Sequence, residues 1–268
     1  MFQLLTDLSG RFHKTLLIKF IYQIFINLKS TRMKIRILSV LLLSAVCLTS
    51  HAQIQFGINA GVNSGNIKSK YDSKKEEGIK PGIGFIVSGD VNIPLGESLM
   101  FQTGLQFESV KSKSDEESTS TPYPGFTIKT TSSDKLSLNF INIPAKIYFK
   151  IPAGGGSFMI GAGPYLGIGI SGKQKGNYKS ESTYGGNTTV SEDSYDEKVK
   201  YGSSDTTMKR MNFGVGVNLA YALANNMKIS LFSNIGLSNL QNADKYSTKI
   251  MTFGLTLGYV FGGSGGDE

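Results

Sequence analysis

The side chains able to do chemistry are few and of one kind. Asp90, Glu108, Lys146, Lys150, Arg210 and Lys228 each stand on the polar side of a run in which large apolar and small or polar residues alternate. A period of two is that of a β-strand, so these charges share one face of a sheet. Counted from the nearest short turns, Asp90, Gln102 and Lys146 come to similar height on neighbouring strands. This predicts a buried polar network of Asp90 with Lys146 and Gln102 between them. Charges in a narrow interior are costly unless paired, so the expected role is a plug of ion pairs. A conduction path or binding site is the alternative.

Other acids invite a catalytic reading and do not sustain it. Asp115-Glu116-Glu117 and Glu192-Asp193 lie among Ser, Thr and Lys, in segments expected to be solvated loops. A glycosidase needs two carboxylates held at a fixed separation. The EF-hand spacing for calcium is absent. No G-x-x-x-x-G-K-[ST] phosphate loop occurs, and Gly161/Gly163 and Gly167/Gly169 recur with strand period instead.

The elements that position these residues begin after an export signal. From Met33 the chain reads MKIRILSVLLLSAVCLTSHAQ, with Lys34 and Arg36 ahead of an apolar core too short to span a bilayer. Ser50 and Ala52 supply small residues at −3 and −1, which predicts cleavage between Ala52 and Gln53. Residues 33–52 are therefore read as a signal peptide. Residues 1–32 are read as a misassigned N-terminal extension, with Met33 the true start. The formal charge of +8 falls to +2 once residues 1–52 are removed, because that stretch holds seven Lys/Arg and one Asp. The basic balance is thus no argument for nucleic acid. His13, His51 and Cys47 also lie there, so the mature chain has no His, Cys or Trp. This excludes disulfides, His or Cys triads, and thiolate or imidazole metal sites. No enzyme, cofactor or metal is expected.

Within residues 53–261 the alternation recurs eight times. Ile54 to Val62, Ile83 to Ile93, Leu99 to Phe107, Leu136 to Ile151, Phe158 to Ile170, Met211 to Tyr221, Ile229 to Leu237 and Ile250 to Phe261 each carry one face of large apolar residues. The opposite face is mostly Gly, Asn, Gln, Ser and Thr. The connections run long, short, long, short, long, short, medium. This predicts an all-β fold: an eight-stranded antiparallel transmembrane β-barrel with short periplasmic turns and long outer loops. An eight-strand lumen has room only for side chains, which suits the small face inside and the apolar face toward lipid. Segments 64–79, 112–133 and 174–207 are expected as loops, with Tyr184-Gly185-Gly186-Asn187 able to turn a hairpin above the membrane. The Tyr residues of these segments, Tyr123, Tyr178, Tyr184 and Tyr195 among them, have a composition found at binding surfaces. The last strand must pair with Ile54–Val62, since an open edge cannot persist in hydrocarbon. Tyr259 and Phe261 then fall in a periplasmic aromatic girdle. Residues 262–268 are expected as a flexible tail.

The stretches QFGINAGVN, GIGFIVSGDVNIPL, LNFINIPAKIYFK, FMIGAGPYLGIGISG, FGVGVNLAYAL and FGLTLGYVF, in this order after a signal peptide, resemble the PorT-like outer-membrane β-barrel family of Bacteroidota. Ile143-Pro144 and the GAGPYLG segment carry most of the likeness, which spans the mature chain. The segment after Phe261 and the length of 174–207 depart from the pattern. The resemblance implies a bacterial outer-membrane location, contact with outer-membrane lipid and with the barrel-assembly machinery, and a structural or interaction role for the surface loops toward an extracellular or envelope protein. The alternative is a narrow conduit or an accessory of a transport or secretion system.

Overall fold

The computed structural model describes residues 54–72, 74–75, 79–243 and 245–262. The chain divides into Met1–His51 and Ala52–Glu268, and every described residue belongs to the second unit. The predicted signal peptide, its cleavage site Ala52/Gln53 and the tail beyond Gly262 lie outside the described residues.

The described chain is all β: β1 (Gln55–Tyr71), β2 (Lys74–Lys75), β3 (Ile79–Pro94), β4 (Leu99–Tyr123), β5 (Phe126–Ala153), β6 (Gly156–Tyr184), β7 (Asn187–Lys198), β8 (Met211–Leu223), β9 (Met227–Gly236) and β10 (Tyr246–Phe261). Eight of them follow one another as an antiparallel ring, β1-β3-β4-β5-β6-β8-β9-β10, and β10 pairs back onto β1. That last pairing runs from Phe56 opposite Phe261 to Tyr71 opposite Tyr246. Alternation sets which face goes out. Phe56, Ile58, Val62, Phe149, Ile160, Leu219, Leu231, Phe253 and Leu257 are exposed, while Asn59, Asn63, Asn142, Asn212 and Thr252 between them are buried. A water-soluble fold would reverse this, because exposed apolar surface is unfavourable in water at roughly 25 cal/mol per Å². Toward the short turns, Tyr259 packs on Phe261 and Phe158 on Tyr221, with ring centres 5.0 and 4.8 Å apart.

The large corrections concern the segments expected as loops. Residues 112–133 and 174–198 are strand, apart from the turns that join them. β4 pairs β5 as far as Tyr123 opposite Phe126, β5 pairs β6 to Phe126 opposite Tyr184, and β6 pairs β7 to Tyr184 opposite Asn187. Because β3 pairs β4 only as far as Ser114, a four-stranded blade, β4 to β7, continues beyond the ring. Residues 115–123 carry it about 30 Å further at ~3.3 Å per residue. The polarity of these segments had suggested loops. Polar residues can form strands when both faces meet water, provided Thr, Ile, Val and Tyr recur among them, as they do in 126–131 and 188–195. The hairpin at Gly185-Gly186 forms where the sequence placed it, and both glycines take positive φ, 57° and 84°.

Candidate functional site

The interior of the ring is filled in layers. At the long-hairpin end an apolar cap joins Ile67, Val110, Leu138, Phe140 and Ile250 of the wall to Met208 and Leu240 from the connections beside β8 and β10. A backbone bond from Lys209 N to Leu240 O (2.7 Å) joins the two connections, and one from Met208 N to Lys200 O (2.9 Å) closes the first on itself. Asn242 Nδ2 adds bonds to Thr207 O and Gly202 O at 2.8 and 2.9 Å.

Below the cap lies a polar layer centred on Glu108, which is 3% exposed. Its carboxylate accepts bonds from Asn142 Nδ2 and Thr252 Oγ1, both at 2.7 Å, and from Asn234 Nδ2 at 3.3 Å. Asn63 and Gln106 donate at 3.4 Å. Donors thus arrive from β1, β4, β5, β9 and β10. The next layer is centred on Asp90. It accepts from Asn59 Nδ2 at 2.5 Å and from Gln102 Nε2 at 3.1 Å, and forms an ion pair with Lys228 Nζ at 3.7 Å. Gln102 also donates to Asn92 Oδ1 at 2.8 Å. Lys146 donates to Asn218 Oδ1 at 2.7 Å.

The three residues singled out in the sequence, Asp90, Gln102 and Lys146, are all buried and line one small cavity. Gln102 meets Asp90 directly. Lys146 and Asp90 make no ion pair within 4 Å; Lys228, from β9 across the lumen, takes that place. Parity along adjacent strands cannot reveal a partner that reaches over the barrel axis, which is why Lys228 was assigned to the lumen without its contact. Glu108 was likewise placed inside, but its role as the hub rests on five strands converging in space. Arg210 is not lumenal. It precedes β8, is exposed, and lies over the Tyr201 ring, 5.8 Å from its centre. Lys150 is exposed at an open vestibule of about 370 Å³ at the short-turn end, shared with Asn92, Met100 and Lys228.

Two acids and two lysines, Asp90, Glu108, Lys146 and Lys228, are the buried charges among the described residues, so the interior is electrically balanced. The cavity beside them is about 30 Å³, on the scale of one water. Aromatic rings complete the filling by lying over glycines directly opposite on the next strand: Tyr148 on Gly161, Tyr165 on Gly214 and Phe232 on Gly254. Of the alternating glycines, Gly161 is the space the Tyr148 ring occupies and Gly169 lies under the Tyr201 ring. Among the described residues no group of three or more His, Cys, Asp or Glu could hold a metal ion.

Above the ring, the blade has two unlike faces. Cross-strand register puts Glu117, Lys129, Lys179, Glu181 and Glu192 on one, joined by ion pairs such as Lys129–Glu117 at 2.6 Å and Lys179–Glu181 at 2.9 Å. The other face carries Ile128, Tyr178 and Tyr195 among hydroxyls, with the Tyr195 hydroxyl donating to Asp134. That bond, which favours the protonated phenol, raises the Tyr195 pKa. At the tip Tyr123 stacks on Phe126 at 4.9 Å, and Tyr184 meets both edge-on at 6.3 and 6.2 Å.

A family profile described as outer membrane protein beta-barrel domain matches residues 49–242. The chain belongs to that family. Family membership and the outward apolar belt together place it in the bacterial outer membrane. Among solved structures, the chain is similar to Ail, the attachment invasion locus protein of Yersinia pestis, crystallised with the heparin analogue sucrose octasulfate. The identity is 14% over 78% of this chain and 99% of that one, with a TM-score of 0.33. It is also similar to Neisserial surface protein A (11% identity, 76% and 96% covered, TM-score 0.29). A third is the outer membrane protein OprG of Pseudomonas aeruginosa (11%, 78% and 97%, TM-score 0.30). No curated protein matches the sequence.

Proposed function

We propose that this protein is a non-enzymatic surface interaction barrel, whose working part is the blade and whose lumen is a structural plug. The observation that carries the reading is the aromatic tip. Tyr123 and Tyr184 are more than half exposed, on a rigid sheet about 30 Å beyond the ring. Clustered exposed aromatics mark interaction sites more often than bare solvent surface. The expected occupant is an extracellular or envelope protein. The conduit alternative is disfavoured by the balanced, filled interior and by the apolar cap. The reading extends to the finer assignments made from sequence: a PorT-like protein of Bacteroidota, residues 33–52 as signal peptide cleaved after Ala52, residues 53–261 as the mature barrel, and insertion by the barrel-assembly machinery.

The test uses the full chain in intact cells with a photo-cross-linking residue at position 123 or 184, and a matched probe at lipid-facing position 255. A defined protein adduct from the tip positions and none from 255 is expected. Purified protein in a planar bilayer should pass no steady current. Absence of tip adducts together with a steady unitary conductance would overturn the proposal in favour of a conduit.

A further inference from the structure

We propose that the vestibule at the short-turn end is a binding site for a small carboxylate on an apolar stem, taken up from the periplasmic side and held there rather than passed on. The site is independent of the blade and its tip. Its volume of about 370 Å³ lies in the range of small-molecule sites, which set a few converging polar groups among apolar walls. Met100 and Met159 supply apolar wall, and Asn92, Lys150, Ser157 and Lys228 supply the polar groups. These four come from β3, β5, β6 and β9, at inward positions near the strand ends. Each can donate a hydrogen bond, and no Asp or Glu lines the cavity.

The donors have capacity to spare. Lys228 is 5% exposed, and its ammonium has three N–H groups. Among the described residues only Asp90, at 3.7 Å, answers them. Asn92 is 2% exposed; its Oδ1 accepts from Gln102, while its Nδ2 has no acceptor among the described residues. Lys150 has no carboxylate partner among them either. Buried donors left unanswered are costly, so the vestibule is built to receive an acceptor.

Charge selects which one. Asp90, Glu108, Lys146 and Lys228 cancel, so Lys150 leaves the vestibule with one net positive charge. One carboxylate balances it. A phosphate monoester, at about −1.5 to −2 near neutral pH, overbalances it. A free amino acid brings an ammonium that no acid in the lining can meet. The site is also blind. Above it the polar layers leave a cavity of about 30 Å³, room for about one water, so a ligand seated on Lys150 and Lys228 has no way upward.

The experiment uses the full chain folded in neutral detergent and labelled with ¹³C at the methionine methyls. It is titrated with hexanoate, hexanol, hexylamine and hexyl phosphate. Met100 and Met159 report the vestibule. Met211, outward-facing and 49% exposed, reports partition into detergent. Ligands of this size bind in the millimolar range, which a chemical-shift titration reads. Hexanoate should give saturable shifts at Met100 and Met159 beyond those of hexanol, with hexylamine and hexyl phosphate binding more weakly. Lys150→Gln leaves the four interior charges in place and should weaken hexanoate roughly tenfold, the worth of one charged hydrogen bond. Lys150→Arg keeps the charge and should bind as wild type does. Heat-modifiable gel migration checks that each variant is folded. Equal shifts from hexanoate and hexanol, hexyl phosphate binding as tightly as hexanoate, or a folded Lys150→Gln that binds as wild type does would each overturn the proposal.

Discussion

Replacing Glu108 tests the claim that the lumen is held by one carboxylate. Glu108→Ala removes the acceptor for five donors, two of them at 2.7 Å. It also leaves Lys146 and Lys228 facing Asp90 alone. Breaking a buried charged cluster by deleting one member costs about 3–5 kcal/mol, because the stranded groups cannot recover water. Glu108→Gln is a different perturbation. Oε2 takes Asn142, Asn234 and Gln106, so the amide oxygen belongs there and the new NH₂ falls at the Oε1 position. The neighbours of that position can adapt. The Thr252 hydroxyl can turn to accept, and an Asn63 flip would offer the Oδ1 that now lies buried without a partner. Charge assistance is still lost, so about 1–2 kcal/mol is expected. The assay is urea unfolding in detergent, followed by far-UV circular dichroism because the chain has no tryptophan, with heat-modifiable gel migration as the folding control. A change under about 1 kcal/mol for Glu108→Ala, or equal losses for the two variants, would refute the hub.

Two further outcomes follow from the packing and the charges. Gly161→Val sets a Cβ 2.5 Å from the Tyr148 ring; overpacking of this kind costs about 1–3 kcal/mol, and the same urea titration should show the loss reduced in Gly161→Val/Tyr148→Ala. In the blade, the Ser133 hydroxyl and Lys80 lower the Asp115 pKa, Lys173 and Lys175 lower that of Asp196, and Lys179 lowers that of Glu181. Folded values below the unfolded ones stabilise fully above the ordinary carboxylate range near pH 4 and lose that contribution as pH falls through the folded values. Amide signals of 115–133 and 175–198 should therefore broaden below about pH 4 while those of the lower barrel persist; a blade and barrel that lose order together would contradict this.

The alternation in Ile250 to Phe261 and its seven predecessors carried strand and face. Side-chain direction in a strand is a local property with a period of two; a soluble barrel would also repeat a large apolar face on every strand but turn it inward, and the small, polar opposite face, which suits an eight-strand lumen, is what points the apolar face to lipid. The same parity placed Asp90, Gln102 and Lys146 inside. Three things were decided by tertiary structure alone. Lys228 answers Asp90 because it reaches across the axis, at a distance no strand-by-strand count contains. Met208 and Leu240 cap the lumen because two connections fold over it, and a lone apolar residue in a polar segment carries no sign of its destination. Residues 112–133 and 174–198 are strand because each satisfies its backbone on a neighbour. Polar sequence says where water is, but pairing decides whether a solvated segment is a loop or a sheet.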